Sequence, residues 1–256
     1  MTSTTSDLDQ ESCPICGGSG WEPVEDKGVR PCSCRRSAQA GLLFEQARIP
    51  ERYRKCSFDS FFPHNKSLQR AVLDSRKFVK DYPVLDIGLL YQGSCGVGKT
   101  HLAVAVLVEI IKKGSSGLFY DFRDLLKGIQ DSYNPDTHTS ELKILAPVFD
   151  AEVLVLDELG ASKPTEWVQE TITHIITKRY NDKKITIFTS NYLDLEDSLD
   201  TDGADEIRSR YRDESLTDRV GKRLRSRLHE MCKLILIEGE DYREKVIRGS
   251  WSRPTA

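Results

Sequence analysis

Residues 93–100 read Gly-Ser-Cys-Gly-Val-Gly-Lys-Thr and match the pattern G-x-x-x-x-G-K-[ST]. A polyphosphate needs a concave row of backbone N–H groups and a cation, and this octapeptide supplies both. Gly93, Gly96 and Gly98 permit a tight backbone path that ligand oxygens can approach closely, with Ser94, Cys95 and Val97 completing the cradle. Lys99 neutralises β- and γ-phosphates, the Thr100 hydroxyl suits Mg²⁺, and His101 follows on the helix whose partly positive N-terminus the loop opens. Cys95 has no evident role, although its thiol could make the loop sensitive to oxidation.

Two further segments end in groups that hydrolysis requires. Val-Leu-Val-Leu at 153–156 runs into Asp157 and Glu158. Beside a phosphate loop, Asp157 suits the metal contact and Glu158 the general base that orients and deprotonates water. Ile-Thr-Ile-Phe-Thr-Ser at 185–190 runs into Asn191, whose amide could hold that water against the γ-phosphate. Without the loop, both ends would read as ordinary turn chemistry.

From Arg219 to Lys233 six Lys or Arg residues face one Glu, a local net of +5. At helical spacing Val220, Leu224 and Leu228 form an apolar stripe beside Arg219, Arg223 and Arg227. A solvated helix face is the plain explanation. An arginine reaching the nucleotide of a neighbouring subunit is the sharper one, and contact with nucleic-acid phosphates is a third.

Cys13-x₂-Cys16 and Cys32-x-Cys34 offer four thiolates to one tetrahedral Zn²⁺. Free buried thiols are the alternative, since the second pair is tighter than usual. With every ligand position filled by protein, such a site builds an interaction surface. Trp21, Lys27, Arg30, Arg35 and Arg36 beside it suit a protein partner or single-stranded DNA, and equally packing and solubility.

These groups need elements to position them. Strand-like runs at 87–91, 117–122, 153–156, 185–189 and 233–237 alternate with helical patterns, one of them at 101–113 closed by Gly114. Alternation of this kind predicts a mostly parallel sheet covered on both faces. The 256 residues suffice for one such domain with a small appendage. We divide them into a disordered tail (1–11), a zinc-binding module (12–36), a helical connector carrying Arg48, Arg52, Arg54 and Lys55 (37–86), an ATPase domain (87–240) and a C-terminal tail (241–256). Charged residues make up 30% and apolar residues 38%, and no apolar run is long enough to span a bilayer. The polar, acidic N-terminus lacks a secretory pattern, and seven cysteines with four crowded together suit a reducing compartment, so a cytoplasmic location is expected. The net charge of −3 does not exclude nucleic acid, because clustering decides.

Taken in order, Arg48-Ile-Pro-Glu-Arg-Tyr53, the loop 93–100 with His101-Leu-Ala103, Asp124-Leu-Leu126, residues 155–160, Thr165-Glu-Trp167, Lys178-Arg-Tyr180, Thr189-Ser-Asn191, Arg225-Ser-Arg-Leu228 and residues 239–243 resemble the AAA+ ATPases of the DnaC/DnaI helicase-loader and IstB family. The resemblance covers roughly residues 45–245 and implies an α/β P-loop fold: a parallel five-stranded sheet between helices. It further implies ATP and Mg²⁺ as cofactors and ATP-dependent homo-oligomers. Asn191 would be a γ-phosphate sensor and Arg227 an arginine finger, with Arg223 in reserve; Arg243, after the last strand, is another candidate to face nucleotide. The expected partners are a replicative DNA helicase and single-stranded DNA, or alternatively a transposase. A nucleotide-switched zinc adaptor or chaperone that does not hydrolyse ATP is a third reading. Three features depart from the family. Residues 200–215 lengthen the segment before the arginine helix, the ending at Ala256 leaves no room for a helical lid, and the cysteine-rich N-terminus looks more like the zinc modules of some helicase loaders than like transposition ATPases.

Overall fold

The structure is a computed structural model and describes residues 13–24, 28–134, 136, 140–194 and 215–244. The expected tail 1–11, Lys27, nearly all of the 200–215 segment and residues beyond 244 lie outside the described residues. Five parallel strands form the central sheet: β3 (Gly88–Gly93), β4 (Gly117–Asp121), β5 (Val153–Asp157), β6 (Ile185–Ser190) and β7 (Cys232–Ile237), in the order β4-β5-β6-β3-β7. A small antiparallel hairpin, β1 (Trp21–Val24) and β2 (Gly28–Pro31), stands apart in sequence between the two cysteine pairs.

The inner strands read as continuous apolar runs because both of their faces are covered, and residue parity decides which side each side chain enters. Leu89, Tyr91, Val153, Val155, Ile185, Ile187, Ile235 and Ile237 join one core; Leu90, Leu154, Leu156 and Phe188 join the other. The first core is filled by α2 (Lys66–Asp81) and α3 (Lys99–Lys112). The second is filled by α4 (Phe122–Asp131), α5 (Glu141–Asp150), α6 (Glu166–Asn181) and the helices that precede β7. Helix α3 is buried nearly all round, from Leu102 to Leu107, which its apolar sequence allows. Side-chain caps set the starts of α2 (Asn65), α4 (Asp121), α5 (Ser140) and α6 (Thr165).

The segment expected as a connector is built into this domain. Helix α1 (Ser33–Gln46) begins directly at the second cysteine pair, and the chain after it buries Ala47, Ile49 and Phe58 in the first core. The Phe119 amide donates to Ala47 O at 2.7 Å, locking this segment beside β4. A single arginine-rich helix from Arg219 onward is not what forms. Gly221, at φ +83° and ψ 154°, ends α7 (Leu216–Val220) and starts α8 (Lys222–Met231). Val220, Leu224 and Leu228 are all buried nonetheless, so the apolar stripe survives the break. Arg219 instead lies 4.6 Å from the Tyr192 ring centroid and bonds its hydroxyl. Arg225 donates to both Asp194 oxygens at 2.7 Å, anchoring α8 to the chain leaving β6. Among the described residues no helix is long and apolar enough to cross a membrane.

Candidate functional site

The phosphate loop joins the end of β3 to the start of α3, at the carboxyl ends of the parallel strands, where open α/β sheets form their ligand crevice. Gly98 caps α3 at φ +99°, and a Cβ there would lie 2.6 Å from the Phe61 ring, so neither conformation nor space admits a side chain. The Lys99 ammonium is buried and donates to Gly93 O at 2.9 Å and Ser94 O at 2.6 Å. Burial lowers its pKa to about 8, against the pull of Cys95, Asp157 and Glu158.

The strand order puts β6 between β5 and β3, so what leaves β6 meets both the carboxylates and the loop. Thr100 Oγ1 donates to Asp157 Oδ1 at 2.8 Å and Thr189 Oγ1 donates to the same oxygen at 2.6 Å. Burial pushes Asp157 up to about 6, with the Thr189 and Thr100 hydroxyls opposing it. The chain then turns sharply: Glu158 takes φ +58°, an unfavourable region for a side-chain-bearing residue. Its amide donates to Thr189 Oγ1 at 3.0 Å, and Leu159 N donates to Thr189 O at 2.8 Å. That turn sends Asp157 inward and leaves Glu158 half-exposed, 3.5 Å from Arg123.

A cavity of about 340 Å³ gathers Cys95, Gly96, Val97, Gly98, Lys99, Thr100, His101, Glu158, Thr189 and Asn191. His101 Nε2 lies 2.8 Å from Ser57 O and its ring stands edge-on to Phe61; burial lowers its pKa. Of the remaining wall, sequence reasoning marked only Arg243 as a candidate to face nucleotide and missed the rest. Arg52, Tyr53, Cys56, Ser60, Phe61, Phe62, His64 and Leu68 line the cavity from the supposed connector. Glu240, Tyr242 and Arg243 line it from beyond β7, two of them in the supposed tail. The aromatic pair Phe61-Phe62 in a polar stretch and the Arg48–Tyr53 motif were the available signals. Arg223 and Arg227, on α8, do not line this cavity in their own chain.

The four N-terminal cysteines converge, with all sulfurs within 4.8 Å of one another. Cys13 Sγ lies 3.8 Å from Cys32 Sγ and Cys16 Sγ lies 3.5 Å from Cys34 Sγ. Bonds of about 2.3 Å to a central zinc place tetrahedral sulfurs about 3.8 Å apart, so the donor set fits the ion. Cys34 is pushed up to about 12 by hydrogen bonding with Cys16 and Cys32, the response of crowded thiols that cannot all ionise without a cation. The adjacent basic residues are partly engaged: Arg35 stacks 4.7 Å from the Trp21 ring centroid and Arg30 pairs with Glu22.

A parallel sheet with a phosphate loop, two carboxylates and a polar strand end at one edge defines a P-loop domain of the AAA+ type. The chain belongs to the family of IstB-like ATP binding proteins, which it matches over residues 45–250. It is 37% identical to a DnaC helicase loader of known crystal structure, with a TM-score of 0.60 over 73% of this chain and 99% of that one. It is also similar to the replicative helicase loader DnaC of Escherichia coli K12, 24% identical over 170 residues that make up 65% of this chain and 69% of that protein. The protein YqaM of Bacillus subtilis is 27% identical over 93% of this chain and 72% of its own length.

Proposed function

We propose that the protein is an ATP-dependent loader of a replicative DNA helicase that binds single-stranded DNA and acts in the cytoplasm. Gly93 to Thr100 hold the phosphates, with Lys99 as their cation. Thr100 and Asp157 are the residues that would hold Mg²⁺, which when bound supplies charge neutralisation between the phosphates. Glu158 accepts a proton from the attacking water, Asn191 holds that water in line, and Arg227 from a neighbouring copy offsets charge at the γ-phosphate. Asp157 is tuned by Thr189 so that the carboxylate stays oriented toward Thr100. Cys13, Cys16, Cys32 and Cys34 would hold a structural Zn²⁺, and the module 12–36 is the helicase grip. Residues 87–240 carry the ATPase, with walls contributed from either side.

The observation that carries this reading is the 37% identity to a crystallised DnaC helicase-loader chain, 99% of which is covered. Co-purification with the replicative helicase of the same organism, with ATP present and zinc retained, tests it; failure to bind would sink it. The name of the matched family supports a transposition ATPase as the second reading, and ATP-dependent assembly on duplex DNA with a transposase would favour that. Glu158→Gln beside the wild type separates both from a mere nucleotide switch, because only a hydrolase loses turnover.

A further inference from the structure

Gln92 stands on β3 immediately before the phosphate loop, and it is an amide where the sheet asks for a hydrocarbon. By strand parity it faces the same side as Leu90, which joins the second core, yet it is only 1% exposed. Packing alone would favour an apolar residue here, since burying an amide is costly unless its polar atoms are met. The partner is specific: Gln92 Nε2 donates to Tyr192 O at 3.0 Å. The Gln92 main chain is itself fixed on both sides, in register with Ser190 of β6 and Leu236 of β7. Its side chain therefore reaches past Ser190 to the residue after Asn191.

Asn191 is thus held on both flanks. Before it, the buried Ser190 hydroxyl donates to Leu159 O at 2.9 Å and accepts from Tyr192 N at 3.1 Å. After it, Tyr192 O is taken by Gln92, while the Tyr192 ring packs so closely on Gly160 that a Cβ there would lie 3.3 Å away. The two anchors lead to different halves of the site. Leu159 follows Glu158 on the carboxylate turn, whereas Gln92 precedes Gly93, whose carbonyl accepts from Lys99 Nζ at 2.9 Å. Asn191 lines the cavity together with Lys99 and Glu158, and Gln92 is not among the lining residues.

We infer that Gln92 is a positioning residue for ATP hydrolysis: its amide fixes the Tyr192 carbonyl, and through it sets how far the Asn191 side chain stands from the phosphate loop. The inference rests on the proposed reading of Asn191 as the residue that holds the attacking water. Loss of the Gln92 bond leaves the phosphate cradle and Lys99 in place and displaces the water alone. A displacement of about 1 Å at the reacting atoms costs about a hundredfold in rate, so a partial loosening costs about tenfold.

The test is steady-state ATP turnover of the full-length protein, counted per molecule that binds nucleotide in a parallel titration. Gln92→Met keeps the length of the side chain and removes the donor. Turnover is expected to fall about tenfold or more while ATP affinity stays within about threefold. Gln92→Glu keeps the shape of glutamine and sets an acceptor against Tyr192 O, so it should lose at least as much turnover. Added to Asn191→Ala, Gln92→Met should deepen the loss by no more than about twofold, because both changes act on one water. Unchanged turnover in Gln92→Met overturns the inference. Parallel losses of turnover and affinity, or losses that multiply in the double variant, overturn it as well and mark Gln92 as a packing residue. An Asn191→Ala protein as fast as the wild type would instead overturn the water-holding role of Asn191, and wild-type protein that binds no ATP would overturn the ATP-binding reading, so these failures are distinct.

Discussion

The Thr189 hydroxyl donates to Asp157 Oδ1 at 2.6 Å, tying the last turn of β6 to the carboxylate that ends β5. Thr189 Oγ1 in turn accepts from the Glu158 amide at 3.0 Å, so one hydroxyl orients the proposed metal ligand and braces the strained residue beside it. Thr189→Val keeps the shape and removes both bonds. The expected outcome is a drop in ATP turnover of about ten- to a hundredfold, with ATP affinity changed by less than about threefold, because hydrolysis depends on precise placement more than binding does. Steady-state ATPase rates with equilibrium nucleotide binding check this, and Thr189→Ser should restore most of the rate. Equal losses in affinity and rate would show that Thr189 only supports the fold.

Arg179 is wholly buried in α6 and, among the described residues, meets no carboxylate within bonding distance. Its guanidinium donates to Thr186 Oγ1 at 2.9 Å, Val148 O at 2.6 Å, Ala151 O at 2.9 Å and Ile185 O at 2.5 Å, joining the end of α5 to the start of β6. Burial pulls its pKa down to about 9, which leaves it charged at neutral pH. Arg179→Ala strands three buried carbonyls and a hydroxyl, so a loss of about 3–5 kcal/mol is expected in denaturant unfolding. Arg179→Lys should recover little, because one ammonium cannot span the donors of a planar fork. A loss below about 1 kcal/mol would contradict this assignment.

The strands that carry the candidate site were readable because their burial is itself patterned. Val153 to Leu156 alternate between the two cores, and that double burial is what a continuous apolar run signals. The cavity walls were hidden for a physical reason. Tyr53 and Phe61 are ordinary core-type residues placed by tertiary contacts, Tyr53 with Phe119 on β4 and Phe61 with His101 on α3, while Phe62 is exposed at the cavity rim, and nothing in their spacing encodes this. Residues 241–243 are short and polar and were placed in a tail, with Arg243 alone marked as facing nucleotide, because only the register of β7 aims them back at the loop. The break at Gly221 was masked by a stripe that fits one helix or two, since Val220, Leu224 and Leu228 are buried either way. The second cysteine pair was the reverse case: an unusual spacing is accommodated because Cys34 sits in the first turn of α1 while Cys32 precedes it.

Zinc removal should separate the two halves of the chain. None of the described residues among 13–36 lines the cavity, and the cysteine cluster closes a hairpin whose core is too small to hold itself together. Treatment with a strong chelator, or Cys13→Ser, is expected to abolish helicase binding while ATP affinity stays within about twofold of the wild type. Metal analysis of the purified protein and nucleotide titration measure the two effects. Far less than one zinc per chain, or loss of ATP binding on chelation, would refute the division.

Arg227 lies on α8 away from its own cavity, so a catalytic role for it requires a second copy. Mixing two inactive variants tests that requirement directly. Lys99→Ala is expected to lose nucleotide binding but keep Arg227, whereas Arg227→Ala keeps nucleotide binding but supplies no finger. Each alone should fall by about a thousandfold or more in ATP turnover, the scale of an arginine finger. In a mixed oligomer, some interfaces place the intact nucleotide site of one variant against the intact arginine of the other, and turnover should reappear in proportion to those interfaces. Recovery cannot occur if Arg227 acts within its own chain or only packs α8, since neither variant then gains anything from its neighbour. Arg223→Ala in the same mixing experiment is the internal control: recovery with Lys99→Ala there, and none with Arg227→Ala, would transfer the finger to Arg223.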